Sequence, residues 1–183
     1  MLRGAATLSA KYRWIIRLSR QFTILMELQM KTFRQAAFSA PGAGTLATGF
    51  GPHIIRISAE ETGGRLGVFE AEVPAGEGPP PHVHDREEEF FRVLDGHFAF
   101  WCNGQRVDLG AGGVIVVPRG AVHRFQNIGH SAGRLMVVMT PGGFEGFFSA
   151  VEAEQPSSPQ EIDALAARFS LRFVPALSAQ AAA

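Results

Sequence analysis

GEGPPPHVHDREEEFFRVLDG, residues 76 to 96, is the stretch from which the fold is read. Pro79, Pro80 and Pro81 hold the chain extended as it reaches His82 and His84, because each ring fixes φ and disfavours helix in the residue before it. On an extended chain, histidines at i and i+2 point both imidazoles to the same face. A carboxylate follows from the run Glu87, Glu88, Glu89, then the apolar run Phe90 to Leu94, then a turn at Asp95 and Gly96. The pattern is one polar cluster, one strand and one tight turn.

The same grammar continues in both directions. HIIRIS (53–58), RLGVFEAEV (65–73), EFFRVL (89–94) and HFAFWCN (97–103) are followed by QRVDL, GVIVVP, HRFQN and RLMVVMT, with Gly, Pro, Asn or Asp between them. Short strands at this spacing predict an all-β sandwich or barrel. After Pro141 the pattern turns helical in GFEGFFSAVEAE and PQEIDALAARFS, with Ser158 as N-cap, Pro159 at the first helical position and Glu161 in the first turn. QPSSP links the two helices, which are expected to pack outside the barrel. No internal repeat is present.

Composition narrows the class. A chain of 183 residues has room for one core of ordinary size. Its 46% hydrophobic content with 21 Gly, 11 Pro and 15 Phe fits a turn-rich globular domain. The single cysteine, Cys102, excludes an intrachain disulfide and a CxxC knuckle, so a metal must be held by His and carboxylate. It also agrees with a reducing compartment, and the expected location is cytoplasmic. Residues 1 to 36 carry seven Lys or Arg against the single acid Glu27, and no lysine occurs after Lys31. The scattered arginines form no basic run, so no nucleic-acid partner is expected. The N-terminal stretch has no apolar run of membrane-spanning length, and no membrane partner is expected. Residues 1–40 are read as a basic extension, either disordered or the product of a start placed too early, with Met26 or Met30 as the first residue. Residues 176–183 are read as a flexible tail.

A third histidine, His123, lies in VPRGAVHRFQN, just after the turn from Pro118 to Gly120. Each of these groups has a plainer explanation alone. HxH occurs on ordinary strands, a run of three glutamates is ordinarily a solvated loop, and a lone histidine is ordinarily a hydrogen-bonded one. Their joint setting points to a metal. Three imidazoles and one carboxylate suit one divalent transition ion, Fe, Mn, Ni, Co or Zn, and leave positions open for substrate or water. His53, His97 and His130 lack this setting and are read as ordinary.

The residues resemble the cupin superfamily. The family pattern G-x5-H-x-H-x(3,4)-E-x6-G is met by Gly76, His82, His84, Glu89 and Gly96, and G-x5-P-x-G-x2-H-x3-N by Gly112, Pro118, Gly120, His123 and Asn127. The resemblance covers about residues 45 to 140. It implies a single cupin barrel, a double-stranded β-helix or jelly roll, over residues 41–142, with C-terminal helices over 143–175. It also implies which glutamate binds, since only Glu89 stands at the pattern's distance from Gly96. The implied metal ligands are His82, His84, Glu89 and His123. Alternation then places Phe91 and Val93 on the face of Glu89, and Phe125 and Asn127 on that of His123, as expected pocket walls; Phe91 and Phe125 are candidate substrate-pocket residues, although an aromatic lining is the usual core of a barrel and packing beside the site is the plainer reading.

Beginning at Glu60 and again at Met139, the segments EETGGRLGVFEAEVPAGEGPPPHVHDREEEFFRVLDG and MTPGGFEGFF resemble the small single cupins grouped with bacterial quercetin 2,3-dioxygenases. That resemblance implies a metal-dependent dioxygenase acting on a small aromatic, flavonol-type substrate and dioxygen, with Glu89 as ligand and catalytic base. It also implies a homodimer. The same ligands would serve another oxygenase, isomerase or decarboxylase on a phenolic or keto acid, or a non-catalytic small-molecule-binding cupin.

Overall fold

The computed structural model describes residues 33–175. The extension up to residue 32 and the tail 176–183 lie outside the described residues. The chain divides after Ala36, and everything below concerns the part that follows.

Eleven strands and two helices are present among the described residues. The strands are β1 (Thr45–Ala47), β2 (His53–Ile57), β3 (Gly67–Val73), β4 (His82–His84), β5 (Glu88–Asp95), β6 (His97–Cys102), β7 (Gln105–Gly110), β8 (Val114–Val117), β9 (His123–Asn127), β10 (Gly133–Thr140) and β11 (Leu171–Phe173). The helices are α1 (Gly146–Glu154) and α2 (Pro159–Arg168). One sheet runs β1-β2-β3-β10-β5-β8 and the other β11-β4-β9-β6-β7. Every pairing is antiparallel. The fold is the jelly roll that the resemblance implies, within the all-β class that the strand pattern predicts, with short helices at the C-terminal end.

Alternation decides what fills the barrel. Along β3 the residues Gly67, Phe69, Ala71 and Val73 are buried, and along β10 so are Gly133, Leu135, Val137 and Met139. On β5 the buried set is Glu89, Phe91 and Val93, while Arg92 is exposed. On these three strands the inner face is therefore apolar apart from a single carboxylate, Glu89. The opposite sheet contributes Phe98 and Phe100 to the same core.

The ends of the elements follow local chemistry. Ser158 caps α2 by accepting from the Glu161 amide, and Glu161 answers with a reciprocal bond to the Ser158 amide, a full capping box with Pro159 in the first turn. Two short strands, β1 and β11, carry no signature in the sequence. Three residues are too few for an alternation pattern, and both strands form because a neighbour offers an open edge, β2 to β1 and β4 to β11. The stretch 143–175 therefore holds a strand as well as its two helices. β11 matters most, since Leu171 pairs with His84 and Phe173 with His82, tying the C-terminal segment to the strand that carries the two histidines.

Gly96 makes the turn between β5 and β6 with φ of 89°, and a Cβ there would stand 2.9 Å from the Gly133 Cα. Both the left-handed conformation and the backbone approach exclude a side chain. Gly96→Ala is expected to destabilise the fold by about 1–3 kcal/mol. Gly110→Ala, at a glycine with open space around it, should cost well under half of that. Urea denaturation of the two variants checks the difference, and equal midpoints would remove the constraint assigned to Gly96.

Candidate metal centre

The four expected ligands come from both sheets. His82 and His84 lie on β4, and His123 lies on the adjacent β9 directly across from His82. Glu89 reaches them from β5 in the other sheet. All four are buried, and their nearest donor atoms lie within 4.8 Å of one another. Two ligands on one ion at about 2.1 Å lie at most about 4.2 Å apart, so small side-chain movements bring the set onto a single centre.

The backbone aims two of the three rings. Nδ1 of His82 is 2.8 Å from the Pro80 carbonyl, and Nδ1 of His123 is 3.0 Å from the Ala121 carbonyl. A carbonyl only accepts, so both Nδ1 atoms carry hydrogen, and in the neutral ring the lone pair sits on Nε2. Pro80 itself presents one of those carbonyls, which gives the proline run a role beyond extension. His123 Nε2 is 2.9 Å from Glu89 Oε2, and His84 Nε2 is 3.7 Å from the same oxygen.

Burial is the largest influence on every member of the cluster, and it acts against charge. It drives His82 down to about 3, assisted by repulsion from His123, and it also lowers His84. Burial lowers His123 too, but the hydrogen bond to Glu89 and its negative charge outweigh that and leave it raised. For Glu89, burial pushes upward, and the attraction of His84 with the bond from His123 reverses it to a net lowering. Glu89 and His123 therefore each favour the charged form of the other across the 2.9 Å contact. The donor set fits a divalent transition ion.

Above the cluster opens a pocket of about 780 Å³, within the usual range of about 300–1,000 Å³ for small-molecule sites. His82, His84 and Glu89 form part of its wall, together with Phe91 and Phe125. Val93 and Asn127, expected beside them, do not reach it. Val93 is packed in the core, and Asn127 gives its amide hydrogens to the Val73 and Ser131 carbonyls and accepts from the Gly129 amide. Facing inward on a strand does not place a residue in the cavity, because the barrel is filled over most of its depth.

Helix α1 differs from its expected place on the barrel exterior. Phe144, just before it, and Phe147 and Phe148 on it are buried and line the pocket. Phe144 stands edge-on to His84 with ring centres 4.4 Å apart. Glu145 holds this corner by accepting from the Ala59 and Gly143 amides at 2.5 and 2.8 Å. Residues 142–148 therefore bend into the mouth, where their aromatic rings find apolar cover.

His53, read as ordinary, is also a wall residue. Its ring stacks on Phe148 at 3.6 Å and 12°, and its Nδ1–H donates to the Gly51 carbonyl at 2.9 Å. Burial lowers its pKa to about 4, only partly opposed by the Gly51 bond, so the ring is neutral near pH 7 and Nε2 is an acceptor. No local motif marks His53, because β2 brings it to the pocket only through the pairing with β3.

Residues 69–139 match the family model for the cupin domain. That stretch is a cupin domain. The chain is 33% identical over 103 residues to quercetin 2,3-dioxygenase of Bacillus subtilis (strain 168), a match covering 56% of this chain and 30% of that protein. It is 31% identical over 125 residues to germin-like protein 1-1 of Oryza sativa subsp. japonica, covering 63% and 57%. The chain thus spans under a third of the first relative and just over half of the second. The solved cupin domain of Schizosaccharomyces pombe Cnp3 superposes with a TM-score of 0.50 at 21% identity, covering 69% of this chain and 85% of that one, which shows a shared fold. Among the described residues no helix is long and apolar enough to cross a membrane.

The lowered pKa of His53 has a measurable sign. The unfolded chain takes up the proton near the ordinary value of 6.5 and the folded one only near 4. The contribution is therefore complete above 6.5 and is lost as pH falls through that window, where the unfolded state binds more protons. His53→Phe is expected to lose less stability than the parent between those pH values. Urea midpoints across the window test this for metal-free protein, in which the cluster histidines are common to both chains. Parallel curves would show that His53 does not contribute.

Proposed function

We propose that this cupin is a metal-dependent oxygenase of the quercetin 2,3-dioxygenase kind, taking a small flavonol-type aromatic and dioxygen. The observation that carries this reading is the position of a buried His3Glu cluster at the wall of a pocket rich in phenylalanine. The 33% identity to the Bacillus subtilis enzyme over 103 residues supports it.

His82, His84 and His123 would hold the ion through Nε2, with Glu89 as the fourth ligand. These residues would hold a divalent ion that would supply Lewis acidity toward a substrate hydroxyl and, for a redox-active metal, an electron partner for dioxygen. Glu89 would receive the hydroxyl proton. Both of its contacts with imidazoles run through Oε2, which leaves Oε1 for that transfer, and its lowered pKa keeps it ionised and ready to accept. Phe91, Phe125 and Phe144 present the apolar surface a flat ring needs, and they exclude water that would compete for the open positions. His53 Nε2 offers a hydrogen-bond acceptor to a hydroxyl on the substrate.

Three measurements test the proposal on the full chain. Elemental analysis is expected to find about one divalent transition ion per chain, and an oxygen electrode should record uptake with at least one member of a flavonol panel. At saturating metal, Glu89→Gln is expected to lower turnover by about 10²–10⁴-fold, the usual contribution of a positioned base. Turnover unchanged in that variant would end the role given to Glu89. A metal-loaded protein with no oxygen uptake from any flavonol would favour an isomerase, a decarboxylase or a binding protein using the same ligands.

A further inference from the structure

Glu87 is a buried ionisable side chain that the proposed reaction leaves unused. It sits in the short connection between β4 and β5 and is 2% exposed, although a run of three glutamates reads as a solvated loop. Its Oε2 has no hydrogen-bond partner among the described residues. One other ionisable group is in the same state, Nδ1 of His84, and the two atoms are 3.8 Å apart.

The other two rings of the cluster show what is missing. Nδ1 of His82 and of His123 each donates to a backbone carbonyl two residues earlier, which fixes the tautomer and leaves Nε2 to bind. His84 has no such bond. Its ring is covered by Phe144, which offers no acceptor. A carboxylate oxygen facing Nδ1 is the remaining device for the same task. Glu87 is not a fifth ligand, since it meets the edge of His84 that carries Nδ1, while the other edge turns its Nε2 toward Glu89. Its second oxygen, Oε1, looks outward to Arg86 Nε at 3.9 Å, so the carboxylate lies between a surface cation and the buried ring.

We propose that Glu87 is the positioning residue of His84, accepting its Nδ1–H and so holding the Nε2 lone pair on the metal; the proposal rests on the reading that the cluster binds a divalent ion. Closing the gap from 3.8 Å to a hydrogen bond takes about 1 Å of side-chain movement, toward the usual length of about 2.9 Å. When Nε2 binds a cation, the ring proton must reside on Nδ1, and the neighbouring carboxylate makes His84 the stronger ligand. The effect is electrostatic and directional, and it disappears when the acceptor is removed.

The test uses cobalt(II) as probe, with affinity from competition against a chromophoric chelator and coordination from the visible spectrum. Glu87→Ala and Glu87→Leu, which cannot accept, are each expected to weaken cobalt binding by about 10–100-fold and to alter the spectrum, the usual consequence of removing such a partner. Glu87→Gln keeps an acceptor oxygen and should restore most of that affinity. A merely structural role would lower the stability of the metal-free protein in all three without rescue by Gln. The Leu variant fills the vacated volume and keeps the comparison open should the Ala variant not fold. Parental affinity in Ala or Leu overturns the proposal, as does a loss in Gln equal to that in Leu. A parental chain that binds no cobalt overturns the metal reading and this inference together.

Discussion

A carboxylate and three imidazoles share one buried volume in this barrel, and the rest of the structure is arranged around keeping them tolerable there. Burial alone would neutralise all four groups. Glu89 stays ionised because His123 donates to it and the other rings stand close. The histidines lie on one sheet and the glutamate on the other, so the compensation works only while both sheets hold their register. A slip of one residue in β5 would turn Phe90 inward and carry Glu89 to the outer face.

That constraint explains the unusual local features nearby. Prolines before β4 leave the Pro80 carbonyl free to orient His82, and the turn before β9 does the same for His123 through Ala121. Gly96 lets β5 reverse tightly enough for β6 to enter the opposite sheet. β11 then covers the free edge of β4, so the two-histidine strand is paired on both sides although it is three residues long.

The C-terminal segment gives the pocket its character. An open barrel end would expose the cluster to bulk water, and Phe144, Phe147 and Phe148 turn that end into an aromatic wall. Glu145 ties the wall to the loop at Ala59, and the stack of His53 on Phe148 joins it to β2. The apolar wall near the cluster thus combines Phe91 and Phe125 from inside the matched region with Phe144, Phe147 and Phe148 from outside it.

The four-residue cluster, the main strands, the two helices and the cap at Ser158 were legible in the sequence, the cluster through its two spaced family motifs and the rest through near neighbours in the chain. HxH on an extended segment, alternation along β5, the glycine at the turn and a serine ahead of proline are all local regularities. Phe91 and Phe125 followed from the same alternation. Four things were decided only in three dimensions. His53 became a pocket residue, Glu87 went inside, Val93 and Asn127 went to core positions away from the cavity, and the phenylalanines of the last segment folded into the barrel mouth. None of these depends on spacing. Each depends on which distant surface offers cover or a hydrogen-bond partner, and that is settled when the sheets close and the C-terminal strand pairs with β4.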